Sequence, residues 1–206
     1  MITLGRGLQF LAAVVAFVLV TDLGAQIPVT LVPAGATWRY LDNGSDQGTN
    51  WAARIFDDSG WKSGAAELGY ADDPTTLVED NPTPGYDPSD TDRFITTYFR
   101  HSFVLTNAQD VSNLQVALLR DDGGVVYLNG QVVFRSNMPG AVDYQTLALA
   151  NIPQPDEVRY FTNSVDPLIL VNGTNVLAVE IHQASSQSSD MSFNLGLYGT
   201  VPGTGN

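Results

Sequence analysis

The stretch Val125-Val126-Tyr127-Leu128-Asn129-Gly130-Gln131-Val132-Val133-Phe134 decides the fold class. Its central pair, Asn129-Gly130, supplies the two residues of positive φ that a two-residue type I′ turn requires. β-Branched and aromatic residues, which favour strands, flank this pair on both sides. The stretch therefore predicts a tight antiparallel β-hairpin.

The same alternation of strand-forming and turn-forming residues continues in both directions. Runs of Val, Ile, Leu, Thr and aromatic residues alternate with clusters of Gly, Asn, Asp, Pro and Ser. Long amphipathic helices place apolar residues three and four positions apart, and no stretch of similar length in this sequence shows that spacing. One helical turn is possible at 51–56 or 165–170. The predicted fold is all-β, a two-sheet antiparallel β-sandwich. The predicted strands cover residues 29–32, 37–41, 96–105, 113–119, 125–128, 132–135, 144–149, 176–182 and 192–198.

One of these strands predicts which of its faces is buried. It begins after Asn172-Gly173-Thr174-Asn175 and continues as Val176-Leu177-Ala178-Val179-Glu180-Ile181-His182. Side chains alternate between the two faces of a strand, so Leu177, Val179 and Ile181 share one face. That set is uniformly apolar, and we expect it to point into the core.

The N-terminus has the pattern of a secretory signal peptide. Arg6 is followed by an apolar run over residues 8–20, about 13 residues long and short of the roughly 20 needed to span a bilayer. The stretch Leu23-Gly24-Ala25, which ends in two small residues, suits cleavage before Gln26. We expect residues 1–25 to be a signal peptide, with a retained anchor as the alternative, and the mature protein to be extracellular with no membrane insertion after cleavage.

The rest of the chain predicts one domain over residues 26–201, followed by a flexible Gly/Pro tail at 202–206. Residues 69–93 are rich in acidic residues and proline, which predicts either an ordered long loop or a mobile flap. The chain contains no cysteine, so stability has to come from the core, with a bound cation as a further possibility.

The charge balance argues against polyanionic partners. The sequence has 22 acidic and 9 basic residues, a formal net charge of −13. Nucleic acids and anionic membranes bind to clustered Lys and Arg, so neither is expected as a partner. The acidic excess has two interpretations: it keeps an exported protein soluble, or some of its carboxylates hold Ca²⁺.

No residue pattern points to catalysis. The two histidines, His101 and His182, both fall within predicted strands and have no nucleophile-elbow or zinc-ligand spacing around them. The neighbouring carboxylate pairs, such as Asp57-Asp58, lie in turns rather than on facing elements, as a glycosidase would need. We therefore expect a protein that is not an enzyme.

Calcium is the more plausible use of the surplus oxygen ligands, because Ca²⁺ takes six to eight oxygens from irregular loops. The first candidate ligand set is Asp42, Asn43 and Asp46, in a loop of calcium-like composition without full EF-hand spacing. Asp121 and Asp122 form the second set. Ordinary turn chemistry is the alternative for both.

Sugar rings stack on aromatic side chains while carboxylates and amides bond their hydroxyls. Trp38, Trp51 and Trp61 are expected to pack in the core or at corners, whereas Tyr70 and Tyr86 in the acidic loop are expected to face solvent. The candidate ligand-binding residues are Tyr70, Asp72, Asp73, Tyr86, Asn137 and His182.

Several stretches, in order along nearly the whole mature chain, resemble a galactose-binding-like, jelly-roll β-sandwich module of secreted bacterial proteins. They include Trp38-Arg39-Tyr40-Leu41-Asp42-Asn43-Gly44, Phe56-Asp57-Asp58-Ser59-Gly60-Trp61, Arg120-Asp121-Asp122-Gly123-Gly124-Val125-Val126-Tyr127-Leu128-Asn129-Gly130 and Gly173-Thr174-Asn175-Val176-Leu177-Ala178-Val179-Glu180-Ile181-His182. The resemblance implies a non-catalytic module, often attached to an enzyme or surface protein, with a calcium ion in many relatives.

Two functions remain open from the sequence. The first is binding of carbohydrate or of a cell-surface or matrix polymer, as in cell adhesion, through loops at one end of the sandwich. The second is self-association as the structural subunit of an extracellular filament or matrix, through strand edges and termini.

Overall fold

The computed structural model describes residues 25–71, 73–79 and 92–203, and most of its regular structure is β-strand. The described strands are β1 (Gln26–Val32), β2 (Thr37–Leu41), β3 (Lys62–Ala65), β4 (Leu68–Tyr70), β5 (Thr76–Leu77), β6 (Thr96–Leu105), β7 (Ser112–Asp121), β8 (Gly123–Leu128), β9 (Gln131–Ser136), β10 (Tyr160–Ser164), β11 (Gly173–His182) and β12 (Met191–Pro202). Short 3-10 turns cover Asn50–Ala52, Ala108–Asp110, Asp156–Val158 and Pro167–Ile169.

These strands form two six-stranded sheets. The first sheet has the order β10-β7-β12-β4-β5, with β1 also paired to β12. The second has the order β3-β2-β6-β11-β8-β9. Among the described strands every pairing is antiparallel except the short parallel contact between β4 and β5. The predicted two-sheet antiparallel sandwich is confirmed.

The hairpin predicted from Asn129-Gly130 is present between β8 and β9. The φ angles of the two residues are 53° and 84°, and Leu128 pairs directly with Gln131. The Asn129 side chain does more than permit the turn: its Oδ1 accepts a hydrogen bond from the backbone N–H of Val176 at 3.0 Å. The turn is therefore tied to the start of β11.

The core lies between the facing sheets and contains the expected face of β11. Leu177, Val179 and Ile181 are at most 1% exposed and belong to the main apolar cluster. From the other sheet, Phe193 stacks on Phe99 of β6 with ring centres 4.1 Å apart. The period-two interpretation of this strand is confirmed.

The opposite face of the second sheet is also covered, by side chains rather than by any of the described strands. Ala178 packs there in a second apolar cluster with Trp51, Trp61 and Tyr98. Arg100 fixes this layer, because its guanidinium bonds the Asp58 carboxylate at 2.7 Å and the carbonyl of Trp51. All three tryptophans of the chain are buried, as the sequence predicts.

The strand predicted over residues 144–149 is absent, and that prediction is wrong. The Asp143 carboxylate accepts hydrogen bonds from the Gln145 N–H and the Thr146 hydroxyl, each at 2.9 Å, and closes a turn. Such local side-chain to backbone bonds compete with strand pairing. The segment lies as a loop on the second sheet, where the Ala148 N–H donates to the Gln183 carbonyl.

Several boundaries differ from the sequence prediction. The short strands β3, β4, β5 and β10 were not anticipated, because they are brief and carry Gly, Ser or Thr instead of a long apolar run. β12 extends through Pro202, one residue into the predicted tail. The predicted signal peptide and residues 204–206 lie outside the described residues.

The antiparallel order gathers the connections at two ends. Because Thr96 of β6 pairs with His182 of β11, the start of one strand and the end of the other lie together. We call this the loop end, formed by residues 42–48, 92–95, 121–122, 137–150 and 183–190. The opposite, turn end is formed by residues 106–111, 129–130 and 165–172.

Candidate functional site

Tyr70 lies in the core, so the expectation that it faces solvent is wrong. Its side chain is 2% exposed, and its hydroxyl accepts a hydrogen bond from Gln183 Nε2 at 2.7 Å. The Arg93 guanidinium lies 5.1 Å from the ring centre. Burial raises the pKa of Tyr70 well above its ordinary value. Tyr70 is buried because it pairs with Met191 and so belongs to a buried strand.

His182 is fully buried and holds the loop over residues 137–150 against the sheet. Its Nδ1 lies 2.7 Å from the Thr146 carbonyl oxygen and 3.0 Å from the Thr96 hydroxyl. Its Nε2 lies 3.5 Å from a carboxylate oxygen of Glu180. The side chain therefore has a structural position beneath the loop and is not available to a glycan at the surface.

Of the four remaining candidate ligand-binding residues, the structure describes Asn137 and Asp73. Asn137 adopts a positive φ of 57°, and its amide donates to the carbonyls of Asp122 at 3.1 Å and Ala150 at 2.6 Å. Asp73 is exposed, with a φ of 51°. Asp72 and Tyr86 lie outside the described residues.

The predicted calcium loop uses its oxygens on the chain itself. Asp42 is 3% exposed, pairs with Lys62 Nζ at 3.0 Å and accepts the Glu79 N–H at 2.8 Å. Asn43 accepts the Ser45 N–H at 3.1 Å, and Asp46 accepts the N–H two residues on at 2.7 Å. The three side chains serve separate turns and contacts.

Asp121 and Asp122 are different, because both are only 2% exposed. Asp122 joins three segments: its carboxylate accepts hydrogen bonds from the N–H groups of Ile152 and Ala184, each at 2.8 Å, and from the Ser188 hydroxyl at 3.3 Å. Burial, followed by the negative charge of Asp122, raises the pKa of Asp121 to about 9. The pair is thus a strongly desolvated acidic centre at the loop end.

Within the described residues, no three His, Cys, Asp or Glu side chains are grouped as metal ligands. One further side-chain oxygen belongs to the segment whose backbone contacts Asp122. Gln183 is 2% exposed and its Oε1 has no hydrogen-bond partner, while the next residue donates its N–H to Asp122. Two carboxylates and this amide are the side-chain oxygens that a hard cation would use.

A depression of about 460 Å³ opens at the loop end. It brings together four separate segments of the chain, and each contributes one to four residues. The lining consists of Gly44, Asp92, Arg93, Phe94, Ile95, Gln145, Leu147 and Ser186.

Phe94 is the aromatic residue in this lining. Its half-buried ring packs on the backbone of Gly44, where an added Cβ would lie 2.2 Å from a ring carbon. Gly44 also has a φ of +67°, a conformation that L side chains rarely adopt. The Arg93 N–H donates to the Ser186 carbonyl at 3.0 Å and joins two of the walls. Aromatic, amide and carboxylate groups therefore meet in one open, partly polar hollow.

Sequence reasoning did not identify Asp92, Phe94 or Gln145. Phe94 adjoins the predicted strand 96–105 and reads as one more apolar strand residue. Gln145 lies in the segment mistaken for a strand. The one usable signal was Gly44, since a glycine in a loop often marks a close approach of another group.

Comparison with known proteins gives a fold but no family. No family model matches the chain, and no curated protein does. Among solved structures, a β-glucuronidase from Bacteroides uniformis is similar over 86% of this chain and 18% of its own, with a TM-score of 0.52 and 16% identity. A β-glucuronidase from Ruminococcus gnavus in complex with D-glucuronic acid is similar over 84% of this chain and 29% of its own, with a TM-score of 0.50 and 11% identity.

These identities show a shared fold alone. The chain spans less than a third of either glucuronidase, so the likeness concerns a β-sandwich portion of a longer enzyme. Fold and site together define a two-sheet β-sandwich with an open, partly polar depression among its end loops. In the part of the chain that the structure describes, no helix has the length and apolarity to cross a bilayer.

Proposed function

We propose that the protein is a secreted, non-catalytic, galactose-binding-like module that binds carbohydrate, or a cell-surface polymer that displays it, in the depression around Phe94. The observation that carries the proposal is the meeting of the Phe94 ring with the polar side chains of Asp92 and Gln145 in one hollow at the loop end. Sugar rings are recognised by this combination, in which apolar C–H faces contact an aromatic ring and hydroxyls bond amide and carboxylate groups.

The make-up of the depression supports binding over hydrolysis. Among the described residues its lining contains one carboxylate, Asp92. Glycoside hydrolysis generally uses two carboxyl groups that face each other about 5 to 10 Å apart across the scissile bond. The buried pair Asp121 and Asp122 does not line the depression.

Calcium stabilisation is part of the same proposal, with Asp121, Asp122 and Gln183 Oε1 as ligands. A cation there would offset the cost of burying two carboxylates. Melting should then rise with calcium relative to chelator, because an ion that binds only the folded state stabilises it by about 2.7 kcal/mol at 100 times its Kd. Equal melting temperatures in calcium and in chelator would contradict a cation at this pair.

Export is tested on the protein itself. Material recovered from the culture medium should begin at Gln26, and its intact mass should lack the first 25 residues. Recovery of the complete chain in the membrane fraction would instead support the retained anchor.

The alternative role, a self-assembling filament subunit, has weaker support because the outer edge of β1 carries a proline that hinders the addition of another strand. The Gly203 N–H donates to the Ala25 carbonyl, which shows that the backbone groups of Ala25 point toward β12. Along β1, residues then point their backbone groups alternately toward β12 and toward the outer edge of the sheet. By that alternation the nitrogen of Pro28 faces the outer edge of the sheet, where proline has no N–H to offer an added strand. Size-exclusion chromatography at high concentration should therefore show a monomer, and polymers would favour the alternative.

The binding proposal is tested by affinity electrophoresis through gels that contain neutral polysaccharides. Phe94→Ala should weaken retention about tenfold, equivalent to about 1.4 kcal/mol. Tyr160→Ala is the matched control, because Tyr160 is an exposed aromatic residue, 37% exposed, outside the depression. The proposal fails if no polysaccharide retards the wild-type protein, or if both variants are retarded as strongly as wild type.

A further inference from the structure

The charges around the depression limit which sugars it can accept. Asp92 is exposed in the lining itself. Asp143 is exposed and accepts the N–H of Gln145, so its carboxylate adjoins another lining residue. Asp46, also exposed, lies two residues after the lining residue Gly44.

Arg93, the positively charged residue of the lining, does not offset the negative charge of these carboxylates. Arg93 is 3% exposed, and its guanidinium packs on the ring of Tyr70. Its backbone N–H is already donated to the Ser186 carbonyl. A ligand carboxylate in the depression therefore meets exposed aspartates before it can reach a guanidinium.

From this arrangement we infer that the depression selects uncharged, hydroxyl-rich glycans and rejects those that carry uronic acids. The inference rests on the proposed function and specifies its ligand class. It also separates this chain from the glucuronidases whose fold it shares, one of which holds D-glucuronic acid. Exposed carboxylates accept hydrogen bonds from sugar hydroxyls, whereas they repel a sugar carboxylate.

The size of the discrimination follows from the number of charges. Across a water-like dielectric each exposed carboxylate near a ligand charge contributes a factor of about two to three, and three of them multiply to at least about tenfold. These charges are exposed, so salt screens them: the Debye length shortens from about 10 Å at 0.1 M to about 3 Å at 1 M ionic strength. The preference should therefore be largest at low salt and shrink as salt is added.

The experiment uses matched polymer pairs and the whole exported protein. A β-glucan, an α-glucan and a galactomannan are each compared with their own form oxidised at C6, in which the primary alcohol has become a carboxylate. Affinity is measured at low salt and at high salt, about 0.02 M and about 0.5 M. We expect at least one neutral polymer to bind, with its oxidised form about tenfold weaker at low salt and closer to equal at high salt.

Two variants locate the effect. Asp92→Asn should narrow the difference between neutral and oxidised polymer by a factor of about two to three at low salt. Asp110→Asn makes the same change in net charge at the turn end and should leave the difference unchanged. An effect of equal size in both variants would show that overall charge, not the depression, sets the preference and would overturn the inference.

A wrong ligand class and a lack of carbohydrate binding would give different results. If the oxidised polymer binds as tightly as its neutral parent or more tightly, the ligand class is wrong while carbohydrate binding stands. If neither form of any pair is retained, the proposed function fails and the inference falls with it.

Discussion

Asp121 offers a quantitative test of the loop end, because its carboxyl is buried and its pKa lies far from the unfolded value. The pKa is raised from 3.8 to about 9 by burial and then by the charge of Asp122. Between these two values the folded protein holds a proton that the unfolded chain has released. Stability therefore falls as pH rises through this window.

The magnitude follows from the linkage relation. One proton corresponds to about 1.4 kcal/mol per pH unit, so the three units from about pH 5 to about pH 8 amount to about 4 kcal/mol. Asp121→Asn removes the titration and retains the shape of the side chain. The comparison is the free energy of unfolding of the variant minus that of wild type. We expect this difference to be larger at about pH 8 than at about pH 5, by about 4 kcal/mol.

The assay is urea unfolding followed by the fluorescence of the buried tryptophans, at several pH values and with chelator present. Chelator is needed because a bound cation would hold Asp121 charged and mask the effect. Asp110→Asn is the control and should follow the wild-type pH dependence. Parallel pH dependences of the free energy of unfolding for wild type and Asp121→Asn would show that Asp121 holds no extra proton in the folded protein.

Three further changes test how the fold is held together. Gly69→Ala would place a Cβ 1.9 Å from the carbonyl oxygen of Met191, so we expect a loss of at least about 2 kcal/mol in the free energy of unfolding. Asn175→Ala removes a fully buried amide whose Oδ1 accepts the Val171 N–H at 3.0 Å and whose Nδ2 donates back to the same residue at 2.8 Å, and should cost about 3 kcal/mol. Arg100→Ala removes the buried guanidinium that holds Asp58 and should also cost about 3 kcal/mol.

Chemical denaturation of each variant measures these losses. Gly60→Ala is the control for the glycine, since an added Cβ there meets nothing within 4 Å. Arg54→Ala, at an exposed position, is the control for the arginine. A buried-site variant that unfolds at the same denaturant concentration as its control would contradict the contact assigned to that residue.

Local patterns determined the parts of the fold that could be predicted. Asn129-Gly130 specifies its turn by backbone conformation alone, and the alternation in β11 specifies its core face through the period of a strand. Both signals lie within about ten neighbouring residues and need no knowledge of the rest of the chain.

Two of the features that were missed depend on partners distant in sequence, and a third depends on a local turn. Tyr70 is buried because Met191 pairs with it, and the nearby acidic residues gave no sign of that pairing. Residues 144–149 alternate like a strand, yet the Asp143 turn takes precedence. The depression could not be anticipated, since its four segments meet only when both sheets are assembled.

NMR titration locates the glycan that we propose to be held at the loop end around Phe94. Addition of a neutral oligosaccharide that the protein retains should shift the backbone amide signals of residues 92–95, 145–147 and 186 most strongly. Amides of the turn end, residues 106–111 and 165–172, should stay unchanged. Shifts concentrated at the turn end, or spread evenly over the sandwich, would contradict a glycan site around Phe94.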